Sequence, residues 1–168
     1  MKNVGIVGIG DMGSGLAKNL IKNGFSVIGL DLLEHRKLAF EAMGGQLARD
    51  YAEIGRASDA VFVMVMNGTE AKEIILGENG LAASMEKGGA ILLTATIKPT
   101  EAREIGAAMA GSGIDLIDSP VSGGFPGAQG GSLTLMAAAP ADILAKNRRV
   151  MEAVSKTIHH VGSDAGMG

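Results

Sequence analysis

The 168-residue sequence predicts an α/β fold in which a doubly wound, mostly parallel sheet carries helices on both faces. Three observations support this prediction. Short apolar runs alternate with segments of helical spacing, several of the runs end at glycine or aspartate, and no linker-like stretch or internal repeat interrupts the alternation. Strands joined in this way need crossover connections, which are right-handed and give a parallel sheet. We therefore expect residues 1–168 to form one domain.

The elements follow one another in a regular order. Val4–Ile9 is a short apolar run that is typical of a strand buried on both faces of a sheet. Apolar residues at helical spacing come next, and Asn23-Gly24 is a typical end for such a helix. The sequence predicts further strands at Phe25–Leu30, Ala60–Met66, Ala90–Leu93, Ile114–Ile117 and Thr157–Val161. It predicts further helices near Glu34–Met43, Tyr51–Ala57, Glu70–Leu76, Thr100–Ala110 and Ala141–Val154.

Composition excludes several classes of function. A net charge of −3 and an aromatic content of 3% give neither the basic footprint nor the stacking surface of a nucleic-acid-binding protein. The chain has no cysteine, so thiolate metal sites and disulfides are excluded, and we expect no metal. We expect no membrane span and a cytoplasmic location. The mean hydropathy of +0.25 is high for a small domain and predicts that an apolar face meets another domain or subunit.

A glycine-rich loop between the first strand and the first helix carries the strongest functional signal. Its sequence, GIGDMG, matches G-x-G-x-x-G and stands where a dinucleotide-binding loop must stand. In such a loop the first glycine permits the tight turn, the second allows close approach of a pyrophosphate and the third allows helix and strand to pack. The pattern predicts a Rossmann-type dinucleotide site. Its predicted cofactor-binding residues are Gly8, Ile9, Gly10, Asp11, Met12 and Gly13.

Asp31, at the end of the second predicted strand, selects between the two nicotinamide cofactors. It stands about 20 residues beyond the loop, where a carboxylate accepts hydrogen bonds from the adenosine ribose hydroxyls. Its charge repels a 2′-phosphate, so the sequence favours NAD over NADP. His35, Arg36 and Lys37 lie just beyond and leave phosphate contact open as an alternative, although a solvated helix face is the interpretation that we favour.

Several longer segments resemble one family. They are GIGDMGSGLAKNLIKNG (residues 8–24), MVMN (64–67), LGENG (76–80), TATIKP (94–99) and DSPVSGGFPGAQGGSLTLM (118–136). Together they resemble the β-hydroxyacid dehydrogenases, which include 3-hydroxyisobutyrate dehydrogenase, tartronate semialdehyde reductase and L-threonate dehydrogenase. The MVMN form is more similar to the threonate-type branch. Alanine and leucine stand where members often have serine and aspartate before Thr96, which affects the identity of the substrate more than the class of reaction.

The resemblance assigns roles to two groups of residues. It implies that the cofactor lies beside Val65, Met66, Asn67 and Thr96. It implies that the substrate carboxylate is bound by Ser122, Gly123 and Gly124. The chemistry agrees with the second assignment, because consecutive amides in a loop of small residues bind anions. An ordinary turn is the alternative interpretation of that loop.

The resemblance also implies a catalytic residue that the chain does not reach. In the family, a lysine on a helix after a G-x-G turn exchanges the hydroxyl proton. Gly166-Met167-Gly168 resembles that turn, and we expect the lysine about four residues beyond it. We expect His159, His160 and Lys98 to be structural or exposed, and we assign no catalytic residue to residues 1–168.

The expected activity is that of an oxidoreductase. We expect hydride transfer between NAD(P) and a small 3-hydroxy or 2-hydroxy acid such as 3-hydroxyisobutyrate, glycerate (from tartronate semialdehyde) or threonate. We expect a helical C-terminal domain outside this chain to complete the site and to form a homo-oligomer, so that this chain alone binds NAD without turnover. The alternatives are a non-catalytic NAD-binding or assembly module and an enzyme similar to 6-phosphogluconate dehydrogenase.

Overall fold

The computed structural model describes residues 3–65, 67–95 and 97–168. The strands of the described residues are β1 (Asn3–Val7), β2 (Ser26–Leu30), β3 (Gln46–Leu47), β4 (Ala60–Val63), β5 (Ala90–Leu93), β6 (Asp115–Asp118), β7 (Val121–Ser122), β8 (Leu133–Ala138) and β9 (Ser155–Gly162). The helices are α1 (Asp11–Lys22), α2 (Glu34–Ala42), α3 (Tyr51–Ala57), α4 (Gly68–Leu76), α5 (Leu81–Ser84), α6 (Pro99–Met109), α7 (Gly124–Gly130), α8 (Ala141–Lys146) and α9 (Arg148–Val154). None of these helices is both long and apolar enough to cross a bilayer.

The strands form one sheet whose larger part is parallel. Its order is β3-β2-β1-β4-β5-β6, and every neighbouring pair in this run is parallel. Order reverses between β1 and β4, which creates the crevice where sheets of this kind bind ligands. The predicted doubly wound Rossmann-type fold is therefore confirmed.

Successive apolar side chains of the strands pack against helices on both faces of the sheet. Ala60 and Phe62 of β4 pack in one apolar cluster with residues of α1 and α9. Val61 and Val63 pack in a second cluster with residues of α4 and α6. Successive side chains of a strand point to opposite faces, so a continuous apolar run is what a sheet covered on both sides requires.

The far end of the sheet differs from the sequence prediction. Strand β8 runs antiparallel to β6 and β7 and parallel to β9. The predicted helix Ala141–Val154 is two helices, because Asn147 interrupts it: the buried side chain donates from Nδ2 to the Ile143 carbonyl at 2.9 Å. Helix α7 was not predicted, since GFPGAQG holds three glycines and a proline and has low helix propensity.

Candidate cofactor-binding site

The candidate site is a cleft at the carboxyl edge of the parallel strands. Its volume is about 790 Å³, which lies within the usual range for ligand sites. One wall consists of the glycine loop after β1, the end of β2 and the start of α2. The other wall consists of the segment after β4 and residues of α3 and α4. The predicted cofactor residues that line the cleft are Gly8, Gly10, Asp11, Met12, Gly13, Asp31 and Val65.

Gly8 and Gly13 shape the glycine loop by permitting close backbone contacts. Gly8 has a φ of +90°, and a Cβ atom there would lie 1.9 Å from the Met64 carbonyl oxygen. A Cβ atom at Gly13 would lie 1.7 Å from the carbonyl oxygen of Gly8. Both contacts are with backbone, which cannot move aside as a flexible side chain can. The two positions therefore accept only glycine without displacement of the loop.

Helix α1 begins within this segment, directly after Gly10, and provides a site for an anion. The helix starts at Asp11, and Ser14 donates from its amide to the Gly10 carbonyl at 2.7 Å. The amides of the first turn, which precede Ser14, have no acceptor within their own helix, and the positive end of the helix dipole lies there. Asp11, Met12 and Gly13 line the cleft, so this helix end faces it. A pyrophosphate fits this arrangement.

Asp31 joins the end of β2 to the glycine loop. Its side chain is only 6% exposed. One carboxylate oxygen accepts the amide of Ile9 at 2.9 Å, and the other accepts the amide of Leu33 at 3.1 Å. The oxygen that accepts the Leu33 amide has a second lone pair available for a ribose hydroxyl, whereas the oxygen that accepts the Ile9 amide also lies 3.5 Å from Arg36 Nη1. The sequence predicted only a ribose contact, whereas the structure adds a role in holding the loop.

Arg36 lies over the glycine loop, a position that keeps the phosphate contact open beside the interpretation of a solvated helix face. Its Nη1 atom is 3.5 Å from the Asp31 carboxylate, and its Cζ atom would be 3.0 Å from a Cβ atom at Gly10. The side chain remains 41% exposed, so the ion pair is weak and the guanidinium can reorient. His35 is exposed, as expected.

The opposite wall of the cleft is acidic, and it was not predicted from the sequence. It includes Tyr51, Glu70 and Glu73. Burial raises the pKa of Tyr51 above its ordinary value of 10.0, and the negative charges of Glu73, Glu70 and Asp31 raise the pKa further. Helices α3 and α4 follow parallel strands at the carboxyl edge, and this position was the available signal for their contribution.

Tyr51 gives a spectroscopic test of this acidic wall, because it is the only tyrosine in a sequence without tryptophan. A phenol whose pKa is raised by folding keeps its proton in the native state, so the associated stability is present below pH 10.0 and is lost as the pH rises through the native pKa. We expect phenolate absorbance to rise at higher pH in the native chain than in the urea-unfolded chain. Glu73→Gln should lower the native midpoint, and Glu41→Gln on exposed α2 should not. Equal native and unfolded midpoints would contradict the arrangement.

The remaining predicted cofactor residues have other positions. Ile9 is 2% exposed and packs in the core, and only its amide takes part through Asp31. Asn67 is exposed and caps α4, since its side-chain oxygen accepts the amide of Glu70 at 2.9 Å. The predictions for Met66 and Thr96 lie outside the described residues.

Ser122, Gly123 and Gly124 occupy the end of β7 and the start of α7, and all three are exposed. They are separate from the lining of the cleft described above. Gly123 has a φ of +126° and Gly124 a φ of +58°, so glycine is favoured at both. The segment follows the carboxyl end of β6, which places it at the same edge of the sheet as the glycine loop.

The alternative proton-transfer residues are exposed, as expected. His159 and His160 lie on β9, and the Nε2 atom of His160 is 2.8 Å from the Ala139 carbonyl oxygen. Lys98 precedes α6, and its amide donates to the Glu101 carboxylate at 3.0 Å.

Comparison with known proteins identifies the family. The model of the NAD binding domain of 6-phosphogluconate dehydrogenase matches residues 3–162. The chain belongs to this family. Its membership agrees with the geometry of the cleft, and NAD is the cofactor that both predict for this NAD-binding domain.

The relatives of this NAD-binding domain are β-hydroxyacid dehydrogenases, which confirms the resemblance found in the sequence. It is 35% identical over 167 residues to L-threonate dehydrogenase of Escherichia coli O6:H1, covering 99% of this chain and 55% of the relative. It is 33% identical over 168 residues to 3-hydroxyisobutyrate dehydrogenase of Pseudomonas aeruginosa, covering 100% of this chain and 56% of the relative.

A similar solved structure is the crystal structure of 3-hydroxyisobutyrate dehydrogenase from Salmonella typhimurium, with a TM-score of 0.93 and 30% identity. It matches 100% of this chain and 59% of that chain. The NAD-binding domain thus spans about 55% of the length of the curated relatives that it matches.

Proposed function

We propose that this chain is the cofactor-binding part of a β-hydroxyacid dehydrogenase that transfers a hydride between NAD and a small hydroxy acid. The observation that carries the proposal is the junction of the Gly8–Gly13 loop with Asp31 at one cleft. Bound NAD accepts or supplies the hydride. The amides at the start of α1 bind its pyrophosphate, and Asp31 accepts hydrogen bonds from the adenosine ribose.

The charge around the cleft favours NAD over NADP. The lining includes four carboxylates, on Asp11, Asp31, Glu70 and Glu73, and Arg36 is the cation among the described lining residues. A 2′-phosphate would add about two further negative charges beside these carboxylates. Arg36 is the group that can offset part of this repulsion, since it lies beside Asp31.

We expect Arg36→Gln to increase the ratio of NAD affinity to NADP affinity. The variant should weaken NADP binding about tenfold, as expected for loss of a charge-assisted phosphate contact, and should change NAD binding by less than about twofold. Calorimetric titration with each cofactor measures both constants. Lys37→Gln removes the same charge one residue along, outside the cleft lining, and should leave both constants unchanged. A loss of NAD affinity equal to the loss of NADP affinity would contradict this role.

The substrate contact proposed for Ser122, Gly123 and Gly124 is with the carboxylate of the acid. A hydroxyl donor and two backbone amides stand together at an exposed position, where an acid can reach them. Phe125, the next residue, is 51% exposed in this chain. Such exposure of a large apolar side chain is expected where another domain covers it in the whole protein. The acids proposed are 3-hydroxyisobutyrate, glycerate and threonate, the classes named for the sequence resemblance.

The proton transfer is proposed to come from a lysine beyond Gly168, on a helical domain that also forms a homo-oligomer. The resemblance of the sequence to the β-hydroxyacid dehydrogenases supports this part of the proposal. A cytoplasmic location agrees with a sequence that contains no cysteine.

Ser122→Ala tests the proposed function. We expect the NAD-loaded chain to bind one of the three acids, and the variant to bind it about tenfold more weakly, because a hydrogen bond to a charged group is lost. Affinity for NAD should stay within about twofold. Ser26→Ala, at an exposed position on the opposite edge of the sheet, is the matched control.

Two outcomes separate the alternatives. Binding of NAD with no binding of any hydroxy acid would support a non-catalytic NAD-binding module. Preferential binding of 6-phosphogluconate would support the sugar-phosphate enzyme, although residues 119–131 contain no Lys, Arg or His for a substrate phosphate.

A further inference from the structure

Helix α1, which carries the glycine loop, is joined to helix α7 by the buried side chain of Asn19. Asn19 is only 6% exposed. Its Nδ2 atom lies 2.8 Å from the carbonyl oxygen of Ala128 and 3.0 Å from that of Gln129, both on α7. It also lies 2.9 Å from the Gly15 carbonyl oxygen of its own helix. An asparagine amide has two hydrogens, so both are used between these three acceptors.

The two helices are in direct backbone contact beside this asparagine. A Cβ atom at Gly15 would lie 2.6 Å from the carbonyl carbon of Ala128, so no side chain fits between the helices there. On the other side, a Cβ atom at Gly131 would lie 2.8 Å from the Asn19 side-chain oxygen. Gly131 has a φ of +67° and ends α7. The end of α7 therefore surrounds the Asn19 side chain, and the hydrogen bonds of this side chain hold that end of the helix in place.

Helix α7 depends on such contacts, because its own sequence supports a helix poorly. Its seven residues include three glycines and a proline. Its described contacts with α1 also include a hydrogen bond from Gln129 Nε2 to the Ser14 hydroxyl at 3.4 Å, which is long. Removal of the Asn19 amide would leave two carbonyl oxygens at the end of α7 without their buried donor.

We propose that Asn19 is a positioning residue that fixes α7, and with it Ser122–Gly124, relative to the glycine loop. The amide of Gly127 donates to the Gly123 carbonyl at 3.1 Å, so displacement of α7 would also move the loop that precedes it. The role rests on the proposed function: the cofactor and the acid must be held at a fixed separation for hydride transfer. Asn19 contacts neither of them and acts through α7.

The test compares Asn19→Ala with Asn23→Ala. Asn23 is the same residue type one turn later, and its side chain donates only to the Asn19 main-chain carbonyl at 2.7 Å among the described contacts. We expect Asn19→Ala to raise the dissociation constant of the acid at least about tenfold, and that of NAD by less than about threefold. Amide hydrogens of α7 should exchange at least tenfold faster, while those within α1 keep their rates. The control should match the wild type in every measurement.

A second variant acts on the same contact from the other side and covers the case in which Asn19→Ala does not fold. Gly131→Ala places a methyl group against the Asn19 side-chain oxygen and should give the same split between acid and NAD affinity. Gly111→Ala is its control, because Gly111 has a φ of +81° and no atom within 4 Å of the added methyl group. If Gly131→Ala and Gly111→Ala had similar effects, backbone strain would explain the result and the proposal would be overturned.

The exchange measurement is independent of the proposed function. If the wild-type chain binds NAD but no hydroxy acid, the proposed function fails, and the exchange rates of α7 still decide the role of Asn19. Unchanged α7 exchange in Asn19→Ala, or equal losses of NAD and acid affinity, would show that Asn19 does not position the loop.

Discussion

Gly8→Ala is expected to abolish measurable NAD binding and to lower the free energy of unfolding by about 2–5 kcal/mol. The left-handed backbone accounts for about 1–2 kcal/mol of this loss, and the overlap with the Met64 carbonyl oxygen accounts for about 1–3 kcal/mol. The overlap falls on backbone atoms at the mouth of the cleft, so any relaxation displaces the loop that binds the pyrophosphate. Urea denaturation and calorimetric titration with NAD measure the two effects.

Gly24→Ala separates strain from close approach. Gly24 has a φ of +91°, nearly the value at Gly8, and no atom lies within 4 Å of an added methyl group. Its alanine variant should lose only the strain contribution of about 1–2 kcal/mol and should bind NAD as the wild type does. If the two variants were equally stable and bound NAD equally well, the glycine loop would not depend on the contact between Gly8 and Met64.

Asp31→Ala has the second-largest expected effect, a loss of NAD affinity of about 10- to 100-fold. Each hydrogen bond to a charged group contributes about 1.5–3 kcal/mol, and the variant loses both the ribose acceptor and the bond that holds Ile9. The ratio of NAD to NADP affinity should fall, because Arg36 is then released from its carboxylate partner. Titrations with both cofactors check the affinity and the ratio.

Asp59→Ala is the matched control for this change. Asp59 is also an aspartate that accepts a backbone amide, that of Asn3 at 3.1 Å, but it directly precedes β4, at the amino edge of the parallel strands, and is not among the described residues that line the cleft. Loss of this hydrogen bond should cost about 1 kcal/mol of stability without changing NAD affinity. An Asp31→Ala variant with NAD affinity within twofold of the wild type would disprove the role of Asp31.

The parallel part of the fold could be predicted because local pattern and tertiary structure agree there. Strands β1, β4 and β5 are apolar on both faces, and helices on both sides of the sheet need that pattern. The glycine loop could also be located, since its spacing reflects backbone contacts between residues close in sequence. Its partner Asp31 was identified by its position after β2.

The antiparallel part of the sheet could not be predicted, and the acidic wall had only the position of α3 and α4 as a signal, because both depend on contacts between residues distant in sequence. Helix α7 forms on α1, and its stability comes from contacts such as that between Gly15 and Ala128, more than 100 residues apart. Arg36 and Tyr51 reach the cleft because a turn and a crossover place them there, and neither stands in a pattern of its own. Contacts between residues distant in sequence leave no periodic signal.

Parallel titrations of the unmodified chain with NAD and NADP decide whether this cleft is an NAD site. We expect NAD to bind with a dissociation constant below about 1 mM and NADP to bind at least about tenfold more weakly. Quenching of Tyr51 fluorescence should report the same constant, because this tyrosine lines the cleft. Absence of NAD binding, or NADP binding as tight as that of NAD, would contradict the assignment of this cleft.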